Sequence, residues 1–518
     1  MPNGKHGPQL PHPGRRGRRL KTLLGACLAL AVASACGSGA QEEKAAGEKP
    51  KPVLRFGVPV PLNDWETIDR GNSTYTSLVY EGLVGLASNG VTIIPGLAKE
   101  WKVSDSEITF TLEENVVFHD GTPFDAAAAV KNLERMRSTS ARWKGTMGTV
   151  TAFEAVDAKT LRIKLKGAAP ALLPNLARSQ GYIISPAAIE AGTWAKTPAG
   201  TGPYAYDPSR SVAGSKVMAK VFDRYRHPEK IGTGGIEVHF INDPDSLLNA
   251  LTVGQLDIAY TVASYDKRVE QSGLGLATYP SSLFHLQMYD TKGVFGDKKV
   301  RQAICLAMNP QEYADTQYRG YSKVHLQRMK EGQQGYNPQV AGYPHDLAKA
   351  KQLMAEAGNP KVSFVLPSYD IQRSIAELFR AQMGEIGVDV KLDMMTWGQF
   401  YSVYNNGKYP AAILSDFGDA SAYDYYLYKF FPGGAGNPKK VAYPELDKVV
   451  EKALAAPDEK AAAADWAEMT KIVNDEALDC GYFEQPYFWA FNKKKVDKVD
   501  STATVPAAIR YAELVAKG

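Results

Sequence analysis

Short apolar segments recur along most of the chain, and their spacing predicts both strands and helices. Val53–Val58 is a mostly apolar run that ends before Pro59. Ile108–Leu112 and Thr160–Leu165 alternate between apolar and polar positions, which is typical of strands with one buried face. Thr74–Gly85 is instead predicted to be helical. The first part of the chain therefore combines both kinds of element.

The second half of the chain shows helices that lead directly into strands. One helical pattern ends at Gly358 and another at Gly387, and Val388–Leu392 then alternates as a strand. Glycine is common just beyond the last turn of a helix. This succession predicts α/β layering. The predicted helices are Asp125–Arg137, in which Asp125 can cap the first turn, Asp346–Ala357, Arg373–Ile386 and Lys460–Val473.

The amino-terminal 35 residues predict an export signal. Arg15–Lys21 is basic, and the apolar run after it, about 14 residues at most, is too short to span a bilayer. It ends at Ala33-Ser34-Ala35-Cys36, and these three features together define a secretory signal peptide. The ending resembles a bacterial lipobox, which implies that Cys36 carries the lipid. Cys27 is the alternative site, and plain secretion is a third interpretation.

Composition describes an ordinary globular body behind this signal. Residues 36–52 are small and polar and predict a flexible tether. At about 150 residues per domain, the 518 residues suggest about three packed units. The net charge is +4, but residues 1–35 contain six basic and no acidic residues, so the remainder carries −2. A nearly neutral body argues against a nucleic-acid-binding protein.

Motifs of enzymes and metal sites are missing from the sequence. It contains no His-Glu-x-x-His, Cys-x-x-Cys, Gly-x-Ser-x-Gly or phosphate-binding Gly-Lys-Ser/Thr motif. His119 is interpreted as a turn residue. We therefore predict a protein that is not an enzyme and that has no cofactor and no metal. For Cys305 and Cys480 we expect buried free thiols, with a disulfide as the alternative.

Seven short motifs occur over about residues 53–505. They are Tyr80–Val84, Pro95–Ala98 with Trp101, Phe118–Phe124, Gly200–Tyr204, Val300–Ile304, Ala348–Lys351 with Ala357–Gly358, and Ile386–Val388. Several have a plain structural explanation, since Asp-Gly-Thr-Pro is turn chemistry. Taken together and in this order, they resemble the peptide/nickel-type extracellular solute-binding proteins (family 5) of ABC importers.

The resemblance implies an α/β, two-lobed periplasmic-binding-protein-like fold of type II, with an extra subdomain inserted in lobe I. A ligand would be enclosed when the two lobes close. The implied division is signal peptide 1–35, tether 36–52, lobe I at 53–90, 198–285 and 488–518, inserted subdomain 91–197, and lobe II at 286–487.

The resemblance also implies a ligand-binding carboxylate. Peptide-binding relatives hold the α-ammonium of the ligand with an aspartate, and the matching position here is Asp419. The family tryptophan is replaced by Asp416, although Phe417 beside it can supply a ring. The arginine that clamps a dipeptide carboxylate is replaced by Pro367, which allows a longer peptide or a cation without a carboxylate.

Two further aromatic residues are candidates for lining the ligand site, namely Tyr369 and Trp65; core packing is the alternative for both. The predicted function is a monomeric, lipid-anchored binding protein that delivers a peptide-like or amine-bearing solute to an ABC permease and ATPase complex. It would lie on the outer face of the cytoplasmic membrane or in the periplasm, and it would not bind nucleic acid. Alternatives are another nutrient, such as an oligosaccharide or metal complex, or a sensor feeding a signalling partner.

Overall fold

The computed structural model describes residues 50–62, 64–68, 73–87, 92–104, 106–369, 372–404, 406–416, 421–432, 434, 436–456, 459–499, 511 and 514–517. The predicted signal peptide, most of the tether, the lipidation site Cys36, and the ligand residues Phe417 and Asp419 lie outside these residues. Among the helices of the described part, none is long and apolar enough to cross a membrane.

A mixed sheet of nine strands is the largest that the described residues form. Val53–Val58 is a strand, as predicted, and it runs parallel to both of its neighbours in the sheet. In spatial order the strands are β10 (Tyr204–Tyr206), β11 (Lys216–Val221), β12 (Gly235–Phe240), β1 (Val53–Val58), β13 (Ile258–Thr261), β19 (Asp479–Phe491), β14 (Gly275–Met288) and β18 (Ala411–Asp416), while β15 (Val324–His325) pairs with β19.

Two long antiparallel strands, β14 and β19, connect the two halves of this sheet. They contain 14 and 13 residues, whereas an average strand has about five or six. At one end Gly275–Thr278 pairs with Phe488–Phe491, and β13 lies alongside. At the other end Leu283–Met288 pairs with β18. We call β10, β11, β12, β1 and β13, with the adjoining ends of β14 and β19, the first half of the sheet. The second half consists of β18, β15 and the opposite ends of β14 and β19. The β14–β19 ladder thus passes from the first half into the second.

Two prolines face each other in the middle of this ladder. Pro280 pairs in register with Pro486, and the register shifts between Pro280 and Ser282. Proline has no backbone N–H and cannot donate to a ladder. Neither strand therefore supplies an amide donor at this rung, which makes it a weak point between the two halves of the sheet.

A second, antiparallel sheet has its own hydrophobic core. The alternation predicted for Ile108–Leu112 and Thr160–Leu165 is confirmed, since every second residue of both strands is buried. The Asp125 carboxylate accepts from the Ala128 N–H at 2.9 Å and caps the helix beside them. The strands are β5 (Ala98–Val103), β6 (Glu107–Leu112), β8 (Thr160–Leu165) and β7 (Val150–Ala155), and the helix is α2 (Ala126–Thr139).

The predicted helix Thr74–Gly85 is wrong in its second half. Helix α1 covers only Ser73–Val79. The chain then becomes extended because backbone groups of its next residues pair with distant segments: the Gly82 carbonyl accepts from Leu97 N–H at 2.9 Å. Tertiary pairing overrides the local pattern here. The short strand pairs are β2 (Glu81–Gly82) with β9 (Tyr182–Ile183), and β3 (Val84–Leu86) with β4 (Ile93–Pro95).

The predicted α/β succession in the second half is confirmed. Strand β16 (Ser363–Tyr369) runs parallel to β17 (Asp389–Met395), with α10 (Leu347–Glu356) and α11 (Arg373–Gly384) packed in the same core. The remaining helices are α3 (Ala141–Thr146), α4 (Leu172–Leu176), α5 (Pro186–Glu190), α6 (Pro244–Thr252), α7 (Asp266–Gln271), α8 (Lys298–Ala307), α9 (Pro310–Tyr318), α12 (Trp397–Val403), α13 (Ala422–Lys429), α14 (Pro444–Leu454) and α15 (Glu459–Asp475).

The expectation of free thiols at Cys305 and Cys480 is wrong, because the two form a disulfide with Cα atoms 5.8 Å apart. Cys305 lies on the buried face of α8, and Cys480 is the second residue of β19. Both belong to one hydrophobic core. Because 175 residues separate the two cysteines in the chain, the sequence alone does not reveal that they are close.

Candidate functional site

Aromatic side chains gather where β13 and β19 pair. The pairing places Tyr260 opposite Trp489. Tyr487 lies two residues before Trp489, hence on the same face of the strand, and its ring centroid is 4.9 Å from that of Tyr260. Trp489 is fully buried, and its ring centroid is 5.5 Å from that of Tyr487. The crossing strands thus carry an aromatic surface.

Tyrosines from helix α9 and from strand β16, both outside the large sheet, lie near this surface. Burial raises the pKa of Tyr318, at the end of α9, and the nearby phenols of Tyr260 and Tyr369 raise it further. Tyr369 is the last residue of β16. We call Tyr260, Tyr318, Tyr369 and Tyr487 the tyrosine cluster.

Three hydroxyls of the cluster are open to an additional partner. Those of Tyr260, Tyr318 and Tyr487 make no hydrogen bond with any described residue, and each side chain keeps partial exposure. Burial nevertheless raises the pKa of Tyr260 to about 12 and also raises that of Tyr487. Each phenol can donate and accept one bond in a poorly solvated place. Such groups on an aromatic surface are typical of a small-molecule site.

Tyr369, predicted from the sequence, lies in the cluster but also packs tightly. It is 7% exposed, and its ring centroid is 5.0 Å from that of Phe400. Burial raises the pKa of Tyr369 as well. The side chain shares a small apolar group with Tyr404 and Leu414. The structure therefore supports packing for Tyr369 and places its hydroxyl near that of Tyr318.

Trp65 lies in a different group of aromatic residues. It is 2% exposed, its ring centroid is 5.2 Å from that of Tyr206, and its backbone N–H donates to the Ala195 carbonyl at 3.1 Å. Together with Tyr75 it lines a cavity of about 190 Å³. Tyr75 connects the two groups, since its phenol raises the pKa of Tyr487.

The described residues before and after positions 417–420 are held by strand pairing and hydrogen bonds. Strand β18 ends at Asp416, opposite Leu283 of β14. The Ser282 hydroxyl lies 2.7 Å from that of Ser415 and donates to Gln485 at 2.8 Å, which ties β14, β18 and β19 together. Ser421 caps α13. In the sequence, Phe417 and Asp419 therefore stand between two described elements, strand β18 and helix α13.

A buried polar network of Asp479, His285 and Lys429 connects strands β14 and β19 to helix α13. Asp479 Oδ1 accepts from Nδ1 of His285 at 2.6 Å, and Nε2 of His285 lies 3.2 Å from the Lys429 ammonium. An ammonium has no lone pair, so Nε2 is the acceptor and Nδ1 carries the proton. Burial by itself would raise the pKa of Asp479, but the interaction with His285 and the charges of Arg328 and Lys429 lower it. Tyr425 donates to the other Asp479 oxygen at 2.7 Å.

His119 has a structural contact. Its Nε2 lies 2.9 Å from the Gly202 carbonyl and its ring packs on Phe222. The bend at Gly200–Tyr204 passes close to α1: a Cβ at Gly200 would lie 2.1 Å from the Val79 carbonyl oxygen. The contact of His119 with Gly202 therefore holds the motif Phe118–Phe124 against Gly200–Tyr204, which in turn lies close to the end of α1. Among the described residues, no group of three His, Cys, Asp or Glu is placed to hold a metal ion.

Sequence reasoning missed Tyr260, Tyr318 and Tyr487. None of them lies in a recognised motif, and only the high tyrosine count of 27 hinted at a phenol-rich surface. Tyr260 and Tyr487 come together through strand pairing, and Tyr318 through the packing of α9 against β19.

Comparisons with known proteins agree with this geometry. The chain is 27% identical over 471 residues to the probable D,D-dipeptide-binding periplasmic protein DdpA of Escherichia coli K12, covering 86% of this chain and 91% of that protein. It superposes on Helicobacter pylori DppA in complex with the peptide STSA with a TM-score of 0.76 (22% identity, 90% and 98% coverage). Brucella suis NikA with Fe(III)-EDTA gives 0.78 (24% identity, 90% and 100% coverage).

The fold is therefore that of the type II periplasmic binding proteins, as predicted. The profile described as "Bacterial extracellular solute-binding proteins, family 5 Middle" matches residues 92–438. The chain belongs to this family of extracellular solute-binding proteins, and its role is to bind a solute, not to transform one.

Proposed function

We propose that the chain captures a peptide-like or amine-bearing solute between two lobes and delivers it to the membrane permease of an ABC importer. The observation that carries this proposal is the ladder of β14 and β19, which joins the two halves of the sheet, lacks amide donors at Pro280 and Pro486, and borders the tyrosine cluster. The permease and ATPase partners follow from family membership. We also propose that the protein is a monomer.

In this proposal lobe I consists of residues 53–90, 198–285 and 488–518, lobe II of 286–487, and the inserted subdomain of 91–197. The separate cores around the two ends of the β14–β19 ladder support the division. Ligand shifts the equilibrium from an open to a closed form by contacting both lobes at once. The tyrosine cluster supports this because it takes Tyr260 from lobe I and Tyr369 from lobe II.

The amine of the ligand would pair with Asp419, with Phe417, Tyr369 and Trp65 contributing rings to the site. A charge-assisted hydrogen bond in a dry cleft is stronger than a neutral one. Relatives named for dipeptides, and a structural neighbour with a bound peptide, support a peptide-like ligand. The neighbour with chelated iron keeps a metal complex as the alternative.

Calorimetric titration with dipeptides and their N-acetylated counterparts tests the proposal. We expect the free amine to be required, and Asp419→Asn to weaken binding at least tenfold, within the roughly 2–5 kcal/mol cost of removing one member of a buried pair. Asp223→Asn is the matched control, because Asp223 is exposed in a turn. Unchanged affinity of the Asp419 variant would remove Asp419 from the site. X-ray scattering should also show compaction on binding; equal radii of gyration would contradict lobe closure.

A further inference from the structure

Positively charged side chains gather around one cavity beside helix α2, and we call this cavity the basic pocket. Its volume is about 620 Å³, within the range of small-molecule sites, roughly 300–1,000 Å³. Four of its lining residues are cationic and one is anionic. The lining comes from α2, α3 and α5 and consists of Lys131, Glu134, Arg135, Arg137, Ser138, Lys144 and Ile189.

Aromatic rings restrain the two arginines of the basic pocket. The guanidinium carbon of Arg135 lies 4.9 Å from the ring centroid of Trp194, and that of Arg137 lies 4.7 Å from the ring centroid of Phe153. A guanidinium is attracted to the face of an aromatic ring by the ring's quadrupole. Both cations are therefore positioned in advance, so less conformational entropy is lost when a ligand binds them.

Most of this positive charge has no anionic partner among the described residues. Lys131 forms an ion pair with Glu190. Arg135, Arg137 and Lys144 form no ion pair with any residue that the structure describes. Three cations beside one cavity are therefore available to an anion from outside the chain.

The guanidinium of Arg135 is poorly compensated inside the protein. Its Nε and Nη2 atoms are buried and have no hydrogen-bond partner. Burial lowers the pKa of Arg135, and the opposing effects of Glu66 and Tyr80 do not cancel this change. A buried donor without an acceptor costs free energy. An anion in the basic pocket would thus meet a charge that the folded chain leaves partly uncompensated.

The ends of two helices explain why cations lie here, but not what neutralises them. Arg137 and Lys144 are in the last turns of α2 and α3, where a cation is favoured by the partial negative charge of the helix C-terminus. That interaction leaves the net charge unchanged. The four cations, set against the carboxylates of Glu134 and Glu190, leave a net charge of +2 at the pocket.

These observations lead to one inference, which goes beyond the proposed function. We propose that the basic pocket is a second binding site, separate from the tyrosine cluster, and that its ligand is a soluble molecule with a phosphate group of two or more negative charges. A guanidinium binds phosphate through two parallel N–H···O bonds, and a phosphate monoester carries about −1.5 to −2 at pH 7. A carboxylate or a phosphodiester, with one charge, would leave part of the positive charge uncompensated.

Calorimetric titration of the full-length protein with inorganic pyrophosphate tests the site. The titration is done at low ionic strength, because salt screens exposed charges. We expect saturable binding that is weakened roughly tenfold by Lys144→Gln, since a hydrogen bond to a charged group contributes about that much. Arg135→Lys keeps the charge but loses the two parallel bonds, and it should weaken binding similarly. Lys361→Gln is the matched control, because Lys361 is as exposed as Lys144 and lies outside the pocket.

The outcomes decide between the site and its alternatives. Absence of saturable binding, or equal affinity in the wild type and both pocket variants, would overturn the inference. Weaker binding in both variants but not in Lys361→Gln, with melting temperatures that confirm folding, supports it. Vesicles of phosphatidylglycerol are compared with vesicles of phosphatidylcholine. An excess of binding to phosphatidylglycerol that pyrophosphate removes would reassign the pocket to lipid phosphodiesters and overturn the doubly charged ligand. Solute binding between the lobes should be equal in all variants, so the proposed function is tested separately.

Discussion

The imidazole Nδ1 of His285 lies 2.6 Å from Asp479 Oδ1, a contact between the two crossing strands β14 and β19. Both side chains are buried, and the Lys429 ammonium of α13 completes the group. Asp419 precedes α13 by three residues in the sequence. The network therefore connects the core of the second half of the sheet to α13.

Asp479→Asn should strongly destabilise the protein. The variant removes a buried negative charge that interacts with Lys429 and Arg328, and breaking a buried pair costs about 3–5 kcal/mol. Denaturant unfolding measures the loss. Asp475→Asn is the matched control, because its partner Lys471 is on the same exposed helical surface and such pairs contribute roughly 0–1 kcal/mol. Similar losses in the two variants would contradict the structural role of the network.

Glu484 should make stability depend on pH at acidic values. Burial by itself would raise the pKa of Glu484, but hydrogen bonds and charges from His325 and Lys330 lower it from 4.5 to about 2. The folded pKa is depressed, so this stabilisation is present above pH 4.5 and is lost as the pH falls toward 2. We expect Glu484→Gln to flatten the stability curve between these values, whereas Glu445→Gln, at an exposed pair, leaves it unchanged. Parallel curves for Glu484→Gln and the wild type would refute the assignment.

The disulfide between Cys305 and Cys480 should stabilise the folded chain. It closes a loop of 175 residues, and removing a native disulfide typically costs about 2–5 kcal/mol. A reductant should therefore lower the melting temperature of the wild type. The double variant Cys305→Ala/Cys480→Ala should melt at the lower temperature with or without reductant. An unchanged wild-type melting temperature under full reduction would mean that the bridge adds no stability.

The hydroxyls of the tyrosine cluster should matter for binding more than for folding. Tyr260→Phe and Tyr487→Phe remove hydroxyls that have no partner among the described residues, so unfolding free energies should change by less than about 0.5 kcal/mol. Ligand affinity should fall about fivefold to tenfold, the value of one net hydrogen bond. Tyr75→Phe is the control that loses stability, because its hydroxyl donates to the Val60 carbonyl at 2.7 Å. Unaltered affinity in both cluster variants would place the ligand elsewhere.

Cys36→Ser should release the protein from the membrane. Two or more acyl chains form a stable anchor, so the wild type should sediment with membranes and the variant should appear in the soluble extracytoplasmic fraction. Cys27→Ser distinguishes the alternative site and should leave sedimentation unchanged. If the Cys27 variant is the one released, the lipid is on Cys27.

Local chemistry made several elements predictable. Asp125 caps α2 and Gly358 follows α10 because such signals act within a few residues of the chain. The resemblance in short motifs led to the correct family and fold. Thr74–Gly85 failed in part because backbone pairing with Leu97 decides its conformation, which the local pattern does not contain.

The site was less accessible to sequence reasoning. Tyr369 was predicted from its motif spacing, whereas the proximity of Tyr260 and Tyr487 depends on the register of β13 against β19. The bond between Cys305 and Cys480 likewise depends on how α8 packs on a strand 175 residues away. Contacts that are distant in sequence define the candidate site, and single-sequence patterns do not encode them.

The facing prolines of the long ladder have a consequence for how its dynamics can be observed. Amide hydrogen exchange has no probe at Pro280 or Pro486, so motion at that rung is silent in such an experiment. The amides of Tyr279 and Tyr487 on one side, and of Ser282 and Gln485 on the other, become the first reporters. Protection should divide these two continuous strands into two blocks with separate opening free energies, each following the core on which it packs.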